Sequence, residues 1–394
     1  MSHFHANTVA SVSDPSLLVV YVAKEQSGWC TQFAEEGYDV CQIAAGQSTD
    51  DSLKTILKAV IGRSGGANWG LITYGATEET LHSILTILPL PSLKAVVHFC
   101  PAINKSEGLF VKYADNTYIP TLMHLSSGQE DLHASAIVVS STIEPTASPS
   151  LLLPLQVHVY PKVPSSPPFP YAMKPPALIT AHENSEADIY VRSAVCLSYS
   201  RTLDLLRRQL GPRFDLEKLW ERHTYYEFVA RDALKTMSTM VAVPYVNHVP
   251  TLTGGVGFDQ LARFYKYHFT KENVTPPDTE LITVSRTVGA DRIIDEMIFK
   301  CTHTTEIDYF LPGVKPTGRP LELTIVGIVA FRGDKLTFDY WDQASALVQL
   351  GLLEPGNLPI AGVEVARKVV NPFGIPSNEL MERWKESEGL SISN

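Results

Sequence analysis

The hydrophobic pattern of this 394-residue chain changes at Gly211-Pro212, and this change constrains the fold more than any other feature. Before it, short apolar runs alternate with amphipathic stretches of helical spacing, which is typical of a mainly parallel sheet covered by helices on both faces. After it, helical stretches come first and long alternating strands with short turns follow. The sequence therefore predicts an α/β domain followed by an α+β domain, and its length suits two domains.

The first part contains six apolar runs that predict strands, at 17–22, 38–43, 69–74, 94–99, 120–125 and 155–160. Amphipathic spacing predicts helices over 52–61, 78–88 and 186–210. The last of these meets Gly211-Pro212, a strong stop signal. Ten prolines lie between Pro145 and Pro176, which by composition alone suggests a linker. The alternating run at 155–160 inside this stretch predicts a strand instead.

The second part has helical spacing at 216–229, 233–240 and 258–269. Long alternating strands follow at 280–288, 292–303, 320–331 and 335–340, the last two joined by a hairpin turn at 332–334. A curved antiparallel sheet with helices on one side fits this order. The charged end of the chain, 377–394, predicts a helix to Lys385 and a frayed end beyond it.

Charge and composition exclude several classes of protein. Lys plus Arg number 32 against 42 Asp plus Glu, for a formal charge of −10, which argues against nucleic-acid binding. No apolar run reaches the roughly 20 residues of a membrane span. The first residues lack the basic start and apolar core of a signal peptide, so we expect a cytoplasmic protein. Five scattered cysteines without a C-x-x-C pair favour neither disulfides nor a thiolate zinc site.

Residues 15–212 resemble the dienelactone hydrolase family, which has an α/β-hydrolase fold. The resemblance rests on the strand, turn and helix at 70–88, the strand and loop at 120–131, the strand end at 158–161 and the closing helix at 200–211. In such enzymes a nucleophile stands on the sharp turn between strand and helix.

The resemblance places the family's nucleophile at Gly75, which has no side chain to react, and its acid at Glu130 or Asp131. The family's histidine should follow the strand end at 158–161, but 162–169 contains none. Because acyl transfer needs a nucleophile and a base together, we predict a catalytically degenerate domain.

An active first domain would require other residues to take over these roles. Thr73, Ser126 and His124 are the available replacements. His98 and Cys100 could form a dyad at the end of one strand, but spacing of two residues is more typical of a strand in the core.

Residues 213–375 resemble the SnoaL-like polyketide cyclases of the nuclear-transport-factor-2-like superfamily, with 376–394 as a tail. The motifs appear in family order, at 245–257, 302–304, 312–318 and 340–353. The resemblance implies a cone with an apolar interior in which a hydrophobic small molecule undergoes ring closure by acid and base catalysis, without metal or cofactor. It also implies a homodimer formed through the open face of the sheet.

Two candidate catalytic residues follow from this resemblance. Asp342 occupies the position of the family's acid/base aspartate, and its alternative role is to cap the helix that begins at Gln343. His248 corresponds to a residue that points into the family's pocket, and a histidine can serve as a base or as a hydrogen-bond donor.

Two further catalytic candidates come from the strands. Glu296 alternates with Ile294 and Ile298, and a carboxylate on an apolar strand face needs either a partner or a function. Arg292 or Lys300 could supply a plain ion pair. His303 lies in a Thr-His turn, where it could instead hold the strand end to the following loop.

The candidate substrate-binding residues are Tyr226, Tyr265, Asp339 and Trp341. Asp339 is also the rival of Asp342 for the acid/base role. Tyrosines at helical spacing are more often core residues, so Tyr226 and Tyr265 are assigned only to the pocket lining. His223 and His268 show no spacing typical of a metal site, and we expect no bound metal.

The sequence thus predicts an enzyme that closes a ring on a polyketide-type natural-product intermediate, by aldol condensation or lactonisation. Two alternatives stay open. One is a hydrolase of a lactone or ester, and the other is a binding protein for a hydrophobic intermediate that performs no chemistry.

Overall fold

The computed structural model describes residues 3–45, 62, 68–87, 92–106, 108–141, 154–175, 188–248, 250–251, 253–333, 335–356, 360–370 and 376. The chain divides into two compact units, Met1–Phe214 and Asp215–Asn394. The helix predicted at 52–61, residue Asp334 of the predicted hairpin turn and the predicted tail helix lie outside the described residues.

The first unit contains a seven-stranded sheet whose spatial order is β1-β3-β2-β4-β5-β6-β7. Strand β1 pairs antiparallel to β3 and the other strands run parallel. The strands are β1 His3–His5, β2 Leu17–Val22, β3 Asp39–Ala44, β4 Trp69–Tyr74, β5 Leu93–Phe99, β6 Thr121–Ser126 and β7 Leu155–Tyr160. All six predicted strands are present, and the sequence analysis missed only the short edge strand β1.

Four helices are described in the first unit: α1 Gly28–Ala34, α2 Glu78–Ile87, α3 Glu130–Ser141 and α4 Ile189–Leu210. The Asp188 side chain caps α4 by accepting a hydrogen bond from the Tyr190 amide at 2.7 Å. Gly70 on β4 lets α4 pack closely, because a Cβ there would lie 2.9 Å from a methyl carbon of Leu210.

The second unit contains a four-stranded antiparallel sheet in the order β10-β11-β12-β13. Its strands are β10 Glu280–Val288, β11 Arg292–Thr302, β12 Pro320–Arg332 and β13 Lys335–Trp341. Side chains alternate between a buried inner face and a more open outer face. A bulge between Thr283 and Ser285 shifts the register, so that Arg286 pairs with Asp295.

The helices of the second unit are α5 Leu216–Thr224, α6 Ala233–Ser238, α7 Phe258–Phe264, α8 Gln343–Gln349 and α9 Glu364–Val370. The hairpin formed by β8 Tyr245–His248 and β9 Thr253–Val256 lies between α6 and α7 in the chain. Helices α5 and α7 each widen at their end into one π turn, at Tyr225–Val229 and Tyr265–Phe269. Such turns occur frequently at functional sites.

The core of the second unit lies between these helices and the inner face of the sheet. Met297, Phe299, Leu323 and Ile325 supply the sheet side of this core. No described helix of the chain is long and apolar enough to span a membrane.

Candidate functional site

The second unit holds a small pocket that is partly open to solvent. It lies within the apolar core, between the helices and the inner sheet face. The residues that line it are Trp220, Glu227, Phe228, His248, Phe269, Leu281, Met297, Phe299, Tyr309, Phe310 and Ile325. Two titratable side chains, Glu227 and His248, therefore stand in a wall that is otherwise apolar or aromatic, apart from the ring hydrogen of Trp220 and the hydroxyl of Tyr309.

Glu227 is paired with His223, one helical turn before it, and both side chains are buried. Thr239 Oγ1 lies 2.6 Å from both the Thr236 carbonyl oxygen and Nδ1 of His223. His223 Nε2 lies 2.9 Å from Glu227 Oε1, so one hydrogen atom is shared between the ring and the carboxyl group. The pair thus holds a proton beside the pocket.

His248 ends β8 and is 4% exposed. Thr253 Oγ1 lies 3.0 Å from Nδ1 of His248 and 2.7 Å from the Tyr309 carbonyl oxygen, which also accepts a hydrogen bond from the Thr251 hydroxyl at 3.0 Å. Burial lowers the pKa of His248 to about 4, with Glu227 acting weakly in the opposite direction. The imidazole is therefore neutral near pH 7.

A buried ion pair holds the pocket wall at Trp220. Asp295 is fully buried and accepts two hydrogen bonds from the Arg286 guanidinium, each 2.7 Å long. Its Oδ2 also accepts the Trp220 ring hydrogen at 2.9 Å. The Trp220 ring in turn stacks on His223, with centroids 5.6 Å apart. Asp295 thus holds the Trp220 ring against His223, the hydrogen-bond partner of Glu227.

Aromatic rings close the rest of the pocket. Phe269 and Tyr309 lie 4.5 Å apart between centroids, and Phe299 stacks on Phe310 at 4.9 Å. Burial raises the pKa of Tyr309 well above its ordinary value, so its hydroxyl stays protonated at neutral pH. Flat apolar walls of this kind favour a flat apolar ligand.

Glu296 requires a correction, because the structure places it on the outer face of the sheet and not in the apolar interior. It pairs with Ser285, whose hydroxyl donates to Glu296 Oε2 at 3.1 Å. Side chains alternate along a strand, so the inward carboxylate is that of the preceding residue, Asp295. Neither Arg292 nor Lys300 forms the ion pair with Glu296 that was the alternative expectation, as far as the described residues show.

Asp342 and His303 are not among the described residues that line the pocket. The Asp342 carboxylate caps α8 by accepting hydrogen bonds from the Ala344 and Ser345 amides at 3.0 and 3.2 Å. His303 is buried in the loop before β12, where its Nδ1 accepts a hydrogen bond from the Thr317 amide at 3.3 Å. Both side chains occupy the positions that their alternative, structural roles require.

The structure also locates the four predicted substrate-binding residues. Tyr265 is a core residue whose ring meets His223 edge to face at 6.2 Å, and Tyr226 packs against Tyr225 at the half-buried end of α5. Neither belongs to the pocket lining. The backbones of Asp339 and Trp341 pair with Gly327 and Ile325. Their side chains lie outside the described part of the structure.

Of the predicted catalytic residues, His248 lies in the pocket lining. Glu227 and Trp220, which also line it, and Asp295, which holds Trp220, were not among the predicted residues. A usable signal was present in α5, where Trp220, His223 and Glu227 follow the spacing of one helix face. This helix face carries an aromatic residue, an imidazole and a carboxylate. If the face points inward, the sequence predicts polar side chains inside the core. No such signal marks Asp295, because its partners lie on other elements.

The first unit has a sharp turn at Gly75, the position that the sequence analysis compared with a hydrolase nucleophile. Gly75 follows β4 with φ +64°, and α2 begins three residues later. A Cβ at this position would lie 3.0 Å from Cγ of Pro168. The space above the turn is therefore occupied by a proline ring.

The possible replacement residues are buried in the first unit's core. His98 bonds to the Thr73 hydroxyl at 2.8 Å through Nδ1, and His124 bonds to the Tyr160 hydroxyl at 2.9 Å through Nδ1. Burial lowers the pKa of both imidazoles. Burial also raises the pKa of the Cys100 thiol, which disfavours its reactive thiolate form.

No group of three or more potential metal ligands occurs among the described residues.

No protein-family model matches the sequence, and no curated protein matches it. IdmH from Streptomyces antibioticus, assigned as a polyketide cyclase, is a similar solved structure at 19% identity and TM-score 0.27, covering 35% of this chain and 99% of that one. A Jannaschia protein assigned to the SnoaL-like polyketide cyclases has 15% identity and TM-score 0.28, and the match covers 36% of this chain and 99% of that one. A Catenulispora acidiphila protein with a ketosteroid isomerase-like fold has 12% identity and TM-score 0.27, and the match covers 34% of this chain and 94% of that one. The activity of this chain therefore has to be argued from its own residues.

Proposed function

We propose that the second unit is a cofactor-independent enzyme that closes a ring on a polyketide-type intermediate by proton transfer. The observation that carries this proposal is the arrangement of Glu227 and His248 in one apolar pocket. One belongs to a pair that holds a proton, and the other is a neutral imidazole. A donor and an acceptor of protons in one site are what enolisation and ring closure require.

An aldol closure can be written with these groups. The unprotonated ring nitrogen of His248 takes a proton from the carbon next to a carbonyl group of the substrate. The released electron pair forms the new carbon–carbon bond to a second carbonyl carbon, whose oxygen takes the proton held by Glu227 and His223. The proton on His248 then returns to the pair, so the cycle consumes no co-reactant and the mass of the substrate is unchanged.

The apolar wall supports this chemistry in two ways. Its apolar side chains lower the local polarity, so that charge developing on the substrate oxygen interacts strongly with the few polar groups present. It also keeps His248 unprotonated at neutral pH, as its lowered pKa requires. Asp342, Glu296 and His303 have no part in this scheme, because none of them belongs to the described lining.

The test uses the full chain, a linear poly-β-ketone methyl ester as probe, and mass spectrometry of the product. Glu227→Gln and His248→Asn should each lower kcat by about 10²-fold to 10⁴-fold, the usual contribution of a general acid or base. Glu296→Gln, on the opposite sheet face, is the matched control and should retain full activity. Loss of activity in the control alone would contradict the assignment.

The product mass separates the three candidate functions. Ring closure leaves the mass unchanged or lowers it by water or methanol, whereas hydrolysis of the ester adds water. Binding of the probe without any turnover would favour a carrier of hydrophobic intermediates and would refute the cyclase.

For the first unit we propose a degenerate α/β-hydrolase frame. Its strand order and the turn at Gly75 support this assignment, since β4 and α2 flank the turn as strand and helix flank a nucleophile in such enzymes. The Pro168 ring fills the space that a nucleophilic side chain would need.

We further propose that two copies of the chain pair through the outer face of the β10–β13 sheet. Ile282 and Ile294 on that face are 46% and 42% exposed. Ile294 pairs in register with Ile328 on β12, so two apolar side chains lie side by side on this face, whereas Ile298, the partner of Ile282, is buried. Exposed apolar side chains that lie together are typical of subunit interfaces.

A further inference from the structure

The second unit has an open groove that is distinct from the pocket. It lies where the two π turns end, and it encloses about 1130 Å³ of empty space that includes open solvent. The residues lining it are Ala230, Arg231, Asp232, Ala233, Leu234, Ala262, Arg263, Lys266, Tyr267, Thr270 and Lys271. None of them lines the pocket.

The groove concentrates positive charge in an acidic protein. It has four cationic side chains, Arg231, Arg263, Lys266 and Lys271, and none of these forms an ion pair within the described part of the chain. The single carboxylate, Asp232, caps α6 at the Lys235 amide and lies 3.3 Å from the ammonium of the same lysine. The lining of the groove therefore carries four cationic side chains and one carboxylate.

The backbone presents one of these cations in an unusual conformation. Arg231 has φ +48°, a left-handed value that is costly for a residue with a side chain. Hydrogen bonds hold it on both sides, from the Ala230 amide to the Tyr225 carbonyl at 2.8 Å and from the Asp232 amide to the Tyr226 carbonyl at 3.0 Å. Strain of this kind is retained where the surrounding structure fixes a side chain in place.

We propose that this groove binds a small organic diphosphate, whose phosphate oxygens contact the four cations. Guanidinium and ammonium groups are the usual protein partners of phosphate. The formal charge of −10 favours a small anion over an acidic macromolecule, because the remaining protein surface would repel the macromolecule. A compact anion experiences mainly the groove, since charges beyond about 8 Å are screened at physiological salt.

The groove also offers surface for the organic part of such a ligand. Tyr267 is 50% exposed and Leu234 is 74% exposed. The Lys266 ammonium lies 5.1 Å from the centroid of the Tyr267 ring, so a flat ring stacked on this tyrosine would have a cation beside its phosphates. This inference goes beyond the proposed ring closure and does not depend on it.

Isothermal titration calorimetry of the full chain with ADP, inorganic pyrophosphate and adenosine tests the proposal. We expect ADP and pyrophosphate to bind, ADP at least threefold more tightly, and adenosine not to bind. Raising the salt concentration should weaken both. Absence of binding by ADP and pyrophosphate, or equal binding of adenosine and ADP, would overturn the proposal.

Paired variants locate the site. Arg263→Gln with Lys266→Gln should weaken ADP binding at least tenfold. Lys218→Gln with Lys300→Gln removes the same charge from exposed positions outside the groove and should change the affinity less than twofold. Equal weakening by both pairs would show attraction by overall charge and refute a groove site. Circular dichroism melting curves check that both variants remain folded.

Discussion

Replacing Asp295 by asparagine is the sharpest test of how the pocket is built. The asparagine side chain would keep the shape of the aspartate and remove its charge. The Arg286 guanidinium, with 18% of its side chain exposed, would lose a partner that holds it at two points. The Trp220 ring hydrogen would lose a charged acceptor as well.

The size of the effect follows from these contacts. Removing one partner of a buried ion pair typically costs about 3–5 kcal/mol, because the other charge stays buried and unpaired. Arg286 retains Glu217 at 3.3 Å and Glu221 at 3.9 Å, both of which are mostly exposed. Exposed pairs contribute little, so we expect a loss near the lower limit, about 3 kcal/mol.

Hydrogen exchange with mass spectrometry measures this loss in the second unit alone. The chain has two units, so a single unfolding curve would mix their transitions. Peptides from α5 and β11 report the opening free energy where Trp220 and Asp295 lie. Peptides from the first unit serve as an internal reference and should keep their protection.

Glu296→Gln is the control, since it alters the neighbouring carboxylate on the opposite face. Its hydroxyl partner Ser285 is exposed, and the expected change is within about 0.5 kcal/mol. If Asp295→Asn changes the opening free energy no more than Glu296→Gln does, Asp295 does not support the pocket wall. The same result would contradict the conclusion that Asp295, and not Glu296, is the carboxylate that faces the core.

Three further predictions follow from burial, strain and exposure. Since burial lowers the pKa of His248 from 6.5 to about 4, the unfolded chain takes up a proton in this range that the folded chain does not. The free energy of unfolding of the second unit should therefore fall by about 3 kcal/mol as pH drops from 6.5 to 4. Hydrogen exchange at both pH values measures this fall, which should be smaller in His248→Asn. Gly75→Ser should destabilise the first unit by about 1–3 kcal/mol through the positive φ and the Pro168 contact, without creating hydrolysis of p-nitrophenyl acetate. Ile294→Lys should convert a dimer to a monomer in analytical ultracentrifugation, whereas Val256→Lys, at a position 52% exposed on β9, should not; equal dissociation by both would refute the proposed interface.

Local patterns in the sequence were sufficient to predict most of the fold. The apolar runs that became β2 to β6 are largely buried on both sides, so composition alone marks them, whereas β7 is half-buried and was found from alternation. The long strands β10 to β13 were found from alternation. The edge strand β1 has three residues and an exposed Phe4, which leaves no pattern to detect.

The site was harder to predict because it depends on contacts between distant residues. Alternation predicts that Asp295 and Glu296 face opposite sides, but it does not say which side is inside. The partners that settle it, Trp220 and Arg286, lie on α5 and β10. Asp342 has backbone partners two and three residues away, so its local sequence fitted both a site and a helix cap. The partner of the His303 side chain, Thr317, lies 14 residues further along the chain.

The bulge in β10 has a consequence for how this chain can change in length. Val284 has no partner on β11, whereas Thr283 pairs with Met297 and Ser285 with Glu296. Deleting Val284 would leave a regular ladder with all of these pairs intact, and Arg286 would still meet Asp295. Inserting one residue between Ser285 and Arg286 would instead turn the guanidinium toward solvent unless a second bulge formed. This strand therefore contains one residue that the ladder does not need. During evolution, β10 can lose a residue more easily than it can gain one.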